Sequence, residues 1–232
     1  MKTELANNHY SPAEEFFNVS SHAAGLCLSV IALILLVIRA VQASDVLSVV
    51  SSSIFGISLV LLYLVSTLYH KCSDPDRRSK LRVYDHISIY ILIAGTYTPF
   101  ALLIIQGMAG WAIAGISWGL ALAGTGLKLL YTGRFRLLST LMYLLMGWLV
   151  VFAITPLTDR LPAQGLDWLL TGGICYTVGA VLYSFRQIPF NHAIFHVFVL
   201  LGSFCHFISV GGKIKIGIPL HIIFPHDDCS QV

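Results

Sequence analysis

Seven apolar runs, each roughly 20 residues long, decide what this chain can become. A helix needs about 20 predominantly apolar residues to cross the hydrocarbon core of a bilayer. The runs fall at 22–41, 46–69, 84–105, 109–130, 137–155, 166–185 and 192–212. They are continuous rather than alternating, which favours helices over a barrel. Only 11% of the 232 residues are charged, and 56% are hydrophobic; a soluble domain carries about 25% charge. A mean hydropathy of +0.80 agrees. The expected fold is all-α, a seven-transmembrane helix bundle. Connections are short and no linker divides the chain. One membrane domain over 22–213 is expected between a polar segment, 1–21, and a polar tail, 214–232.

Lysine and arginine orient such a bundle, because cytoplasmic loops hold an excess of them. With the N-terminus inside, Lys2, Lys71, Arg77, Arg78, Lys80, Arg82, Lys128, Arg134, Arg136 and Arg186 are cytoplasmic. Arg39, Arg160, Lys213 and Lys215 lie opposite. Ten against four predicts N-terminus in and C-terminus out. The first 21 residues contain Glu4, Glu14 and Glu15 and lack the basic start and cleavage site of a signal peptide. Membrane entry is therefore expected to rely on the first span. The net charge of +3 comes without a basic stripe interleaved with aromatics, so nucleic acid is not an expected partner. Membrane lipids are. Cys27, Cys72, Cys175, Cys205 and Cys229 are odd in number and form no CxxC, which argues against a disulfide framework or a cysteine-rich zinc site.

Two local features bear on packing. Gly115 and Gly119 form a GxxxG spacing that allows close helix approach. Pro99, inside the third span, removes a backbone hydrogen bond and should kink the helix, with Thr96 or Thr98 available to satisfy a freed carbonyl.

Ionisable groups in membrane spans mark functional sites by default. His70 ends the second apolar run, Asp85 begins the third, and His192 and His196 begin the seventh. The topology brings all of these ends to one face, the cytoplasmic one. Residues four apart share a helix face, so His192 and His196 can offer two nitrogens to one ion, with His70 as a third ligand. Three histidines and a water are a recurring open zinc coordination, so the expected cofactor is Zn2+. Ser66, one turn from His70, could hydrogen-bond that water or orient a ligand. Asp85 could hold the water, act as general base, or orient a histidine. The pair is not the HExxH of metalloproteases, since Ala193 stands where that motif has its glutamate.

The remaining polar groups read differently. His206 lies about 15 Å beyond His196 along the helix, too far to share the ion, and a packed polar contact is expected. His86 reads as interfacial. Glu14, Glu15, Asn18 and His22 stand at the entrance of the first span, as a helix cap or a lid, the cap being favoured. His221, His226, Asp227, Asp228 and Cys229 read as an exposed polar tail.

The order of these motifs resembles the hemolysin III family, the bacterial branch of the progestin and adipoQ receptor superfamily. The likeness rests on Tyr10-Ser11-Pro12-Ala13-Glu14-Glu15 with Asn18 and Ser21-His22, on Ser66-Thr67-Leu68-Tyr69-His70, and on Asp85-His86. It continues through Ile93-Ala94-Gly95-Thr96-Tyr97-Thr98-Pro99-Phe100, Met146-Gly147-Trp148, and Ile188 to His196, with His206-Phe207. The resemblance implies a seven-helix bundle in the inner membrane, with zinc held by His70, His192 and His196 and with Asp85 and Ser66 beside its water. It also implies three classes of function. These are zinc-dependent, ceramidase-like hydrolysis of lipid amides or esters in membrane homeostasis, a non-enzymatic sensor with structural zinc, and a pore-forming hemolysin. The last is ranked lowest, because a secreted toxin needs an export route and a soluble state.

The topology has a direct test. A reporter fused after Val232 should lie outside the cytoplasm, and one placed between Arg77 and Arg78 inside. Both on one side would mean that the span count is wrong.

Overall fold

Short polar signals set where the helices begin. Ser11 caps α1 (Pro12–Gln42), its hydroxyl accepting the Glu14 N–H at 3.1 Å. Pro12 stands in the first turn, where no intrahelical N–H is missed, and Glu14 and Glu15 complement the positive helix end. Asp45 caps α2 (Val46–Lys71) by accepting from the N–H groups of Leu47 and Ser48 at 3.2 and 3.0 Å. Asp74 caps α3 (Pro75–Pro99) through Arg77 N–H at 2.8 Å. Each such cap contributes about 1 kcal/mol. Their effect on length is larger. α1 begins at Pro12 and not at 22, and α3 at Pro75 and not at 84, so both carry polar turns beyond their apolar runs.

The structure, a computed structural model, describes residues 10–131, 136–185 and 187–213, the side chains of 136, 137 and 213 excepted. The C-terminal tail with His221, His226, Asp227, Asp228 and Cys229 lies outside the described residues, as do Lys2, Glu4, Arg134, Arg186 and Lys215. The architecture is all-helical, with no strand among the described residues. After α3 come a π-helical turn (Phe100–Ile105), α4 (Gly107–Leu130) and α5 (Arg136–Gly147). A 3-10 turn (Leu149–Ala153), α6 (Ile154–Arg160), α7 (Ala163–Ser184) and α8 (Asn191–Lys213) follow. Among the described residues, seven stretches are long and apolar enough to cross a membrane; α3 with the π turn makes the third, and Leu138–Arg160 the fifth.

Apolar side chains cover the outside of the bundle, and polar ones are buried inside beside an apolar core. Leu28, Ile31, Ile38, Ile57, Leu122 and Phe152 are exposed, while Ser51, Ser52, Ser58, Ser117 and Ser209 are buried. This distribution suits a protein solvated by lipid, where polar groups must find partners inside. α1, α2 and α3 pack in sequence, and α8 returns between α1 and α7. Gly25 lets α1 approach closely, since a Cβ there would stand 2.6 Å from the Tyr63 ring and 2.8 Å from Leu200. Tyr63 in α2 donates to Ser203 Oγ in α8 at 2.8 Å, and Ser203 also meets Tyr176 OH of α7 at 2.9 Å.

Two sequence expectations are corrected here. Gly115 and Gly119 are not a packing seam, because each faces open space with nothing within 4 Å of an added Cβ. The close approach in α4 is made by Gly124 against Tyr90 and by Gly110 against the Ala101 carbonyl. Pro99 marks the switch from α- to π-helix, but the Thr96 and Thr98 hydroxyls bond the carbonyls of Leu92 and Ala94 at 2.8 and 2.9 Å. The carbonyl that loses its partner to Pro99 is that of Gly95, four residues back, and neither threonine takes it. The π turn ends at Gln106, whose φ of 58° starts the reversal into α4. Arg160 Nη1 closes that end by donating to the carbonyls of Ile104 and Ile105 at 3.2 and 2.5 Å.

α5 makes only sparse contacts with α3, α4 and α7. Beside it a cavity of about 160 Å³ runs through the bundle, from His192 and Asp85 to His206, Phe100 and Leu157. A water needs only about 10–15 Å³ on this measure, so the space suits something much longer.

Candidate metal centre

His70 is carried by the last turn of α2, and His192 and His196 by the first turns of α8. All three are buried, and one ring nitrogen of each lies within 4.8 Å of the others, a group that could hold a metal ion. His192 Nε2 and His70 Nε2 are 3.0 Å apart. Nitrogens at about 2.0–2.1 Å from a tetrahedral zinc stand about 3.3 Å from one another, so this pair already has nearly the required bite. The centroids of His196 lie 5.0 Å from His70 and 4.4 Å from His192.

The surroundings of the imidazoles fit a cation. His70 Nδ1 donates to Glu15 Oε2 at 2.7 Å, which leaves Nε2 as the nitrogen turned to the other two rings. Glu15 is held in turn by Arg78. A carboxylate behind a ligating histidine fixes its tautomer and raises its basicity. His196 Nδ1 meets Ser21 Oγ at 3.5 Å, Tyr10 stacks on His192 at 4.8 Å, and the Glu14 carboxylate faces the His192 backbone N–H. Three neutral imidazoles are a donor set that suits zinc, and a ring nitrogen buried without a partner is costly. The residues present therefore fit the expected ion.

Asp85 and Ser66 are buried and line the cavity together with His192 and His196. Asp85 does not begin its helix, however. It follows roughly three turns of α3 that start at Pro75. His206 lies deeper, with Nε2 donating to the Leu169 carbonyl at 3.2 Å, as its distance from His196 implied. His86 is half-buried, with Nδ1 donating to the Arg82 carbonyl at 2.6 Å.

The first turns of α1 differ from the expected cap. Ser11 does the capping, while Glu15 reaches His70 and the His22 ring lies face to face with His196 at 3.5 Å. The sequence signal was available in part. Glu15, Asn18 and His22 recur at three- and four-residue spacing and so share one face of a helix, but hydropathy ended the helix before reaching them.

Seven apolar helices around a buried histidine cluster define a multi-pass membrane protein with a candidate metal centre in its core. Comparison with known proteins gives the class its family. Residues 10–207 match the family described as "Haemolysin-III related". "Hemolysin-3" of Bacillus cereus is 45% identical over 197 residues, 85% of this chain and 90% of the relative. The "Hemolysin-3 homolog" of Bacillus subtilis (strain 168) is also 45% identical over 197 residues, covering 85% and 92%. The human "Monocyte to macrophage differentiation factor" is 29% identical over 215 residues, 88% of this chain and 87% of the relative. The chain belongs to the haemolysin-III family, the bacterial branch of the progestin and adipoQ receptor superfamily.

Metal analysis checks the centre. Protein purified from membranes should carry about one zinc per chain, and His70→Ala, His192→Ala and His196→Ala should each lose most of it, since an open site has three protein ligands. Glu15→Gln should weaken zinc binding by about 10–100-fold without abolishing it. Unchanged zinc in all three histidine variants would remove the assignment.

Proposed function

We propose that this protein is a zinc-dependent hydrolase of lipid amides or esters that acts in membrane lipid homeostasis, with its site at the cytoplasmic face of the inner membrane. The observation that carries this reading is the cavity. Two of the three clustered histidines, the Asp85 carboxylate and the Ser66 hydroxyl line its polar end, and Phe100, Leu157, Leu169 and Val199 line its length. A long apolar chain fits the length, and a hydrolysable polar group fits the end.

When bound, zinc would polarise a carbonyl and lower the pKa of a water molecule towards about 7. The protein's own groups do the rest. His70, His192 and His196 would hold the ion, and Glu15 keeps His70 turned inward. The Asp85 carboxylate accepts the proton of the attacking water and delivers it to the departing group, and the Ser66 hydroxyl orients water or substrate. The apolar walls keep bulk water out and strengthen these electrostatic contacts. The sparse packing of α5 against α3, α4 and α7 leaves a lateral route for a lipid to enter from the bilayer.

A second reading has its own support. His70 sits in α2, His192 and His196 in α8, and Glu15 and Tyr10 bring in α1 and the residues before it. A metal here would pin these elements together, as a non-enzymatic sensor requires.

Asp85→Asn separates the two. On the hydrolase reading the variant keeps clearly more zinc than His70→Ala, because three imidazoles remain, while lipid turnover falls by about 10²–10⁴-fold. Lipidomics of cells lacking the protein, compared with cells carrying Asp85→Asn, should then show the same lipid accumulating. Full rescue by the variant, or zinc loss as complete as in His70→Ala, would leave the sensor reading.

A further inference from the structure

The histidine cluster sits where its helices end, yet it is closed. His70 is the last residue but one of α2, and His192 is the second residue of α8, so neither helix extends far enough to cover them. They are nevertheless only 3% and 6% exposed. The cover comes from Tyr10 and the first turns of α1. The Tyr10 ring lies 4.8 Å from that of His192 with 16° between the planes, and 5.7 Å from that of His70. Ser11 caps α1 immediately after it, so Tyr10 rests on the cluster from outside the helix. Of His192, Tyr10 touches the ring face. Both imidazole nitrogens lie in the ring plane, where stacking leaves them able to take a metal. The same position of Tyr10 therefore suits an empty and an occupied centre.

Other approaches are closed to a cation. The cavity reaches the histidines past Phe100, Leu157, Leu169 and Val199, and an apolar passage cannot replace the hydration of a doubly charged ion. Between α1 and α8, Ser21 and His22 press on His196. At the face where α2 and α8 end, the path runs past Tyr10 and two carboxylates. Glu15 is committed to His70 Nδ1 and to Arg78. Glu14 is half-exposed and faces the His192 backbone N–H beside Glu15, and no ion pair with a described residue engages it. A carboxylate oxygen is a common zinc ligand.

We propose that Tyr10 is the lid through which the centre exchanges its metal ion with the aqueous phase, and that Glu14 is the carboxylate that receives the ion on the way. The inference rests on the reading of His70, His192 and His196 as a metal site, and neither on lipid binding nor on turnover. Opening displaces Tyr10 from His192 while α1 stays packed. A lid that closes equally well over the empty and the filled centre raises the barrier by the same amount in both directions. It sets the rates of entry and exit and leaves their ratio, the affinity, alone. Glu14 lowers the barrier in both directions, since it holds the ion only between the water and the histidines.

The test is zinc exchange by the zinc-loaded protein in nanodiscs. Stopped-flow loss into an excess of a fluorescent chelator gives the exit rate, competition against graded zinc buffers gives the affinity, and the two together give the entry rate. Tyr10→Ala should speed exit and entry alike by about three- to tenfold, the factor that one stacked aromatic contact is worth, with the affinity unchanged. Tyr10→Phe, which keeps the ring, should exchange as the wild type does. Tyr10→Leu, apolar but without a ring, should behave like the alanine variant and covers the case in which that variant does not fold. Glu14→Gln should slow both exit and entry by about tenfold. A role through charge alone would instead speed the exit, because a neutral side chain holds a cation less firmly. Wild-type rates in Tyr10→Ala and Tyr10→Leu, faster exit with weakened affinity in both, or faster exit in Glu14→Gln would overturn the proposal while leaving the metal site in place. A wild-type protein that takes up no zinc would remove the metal site, and the proposal with it.

Discussion

The contact between Glu15 and His70 is the joint on which the rest of the site depends. It runs from the second turn of α1 to the last turn of α2, is held at its outer side by Arg78 of α3, and turns His70 Nε2 toward α8. Without it, the His70 imidazole would meet the other two with no fixed tautomer. A group of histidines buried in this way is expensive unless each nitrogen has a partner, at about 1–3 kcal/mol for every unsatisfied atom. A cation shared by the three rings relieves that cost and, being absent from the unfolded chain's options, ties metal binding to the packing of the helices that carry the ligands.

The polar end and the apolar length of the cavity follow from the same arrangement. α1 and α8 meet tightly near the histidines, where Ser21 and His22 press on His196. On the opposite side α5 is broken from α6 by a 3-10 turn, and Tyr97 bridges that break by donating to the Gly147 carbonyl and accepting from Val150 N–H. A firmly packed wall of α1 and α8 therefore faces a looser one, where α5 lines the cavity with Ser139, Thr140, Tyr143 and Leu144.

Much of this was legible in the residues. Seven apolar runs gave the helices, since in lipid a continuous apolar stretch has few alternatives. His192 and His196 share a face by spacing alone, and span topology brought His70 and Asp85 to the same end. The surrounding groups were harder to see. Polar helix turns capped by Ser11 and Asp74 fall outside any apolar window, so Glu14, Glu15, Asn18 and His22 read as an entrance although they lie within α1, with Glu15 and His22 against the histidine cluster. Gly115 and Gly119 show the opposite error. Spacing that permits close approach does not supply a neighbour, and here none is within reach.

We propose that three imidazoles of α2 and α8 hold one zinc ion in the bundle core. X-ray absorption at the zinc K-edge, on protein purified from membranes without added metal, tests it most directly. The account predicts a first shell of nitrogen and oxygen at about 2.0–2.1 Å with the outer scattering of about three imidazole rings, and loss of that ring scattering in His196→Ala. A shell of sulfur at about 2.3 Å, or protein that is folded and metal-free, would contradict it.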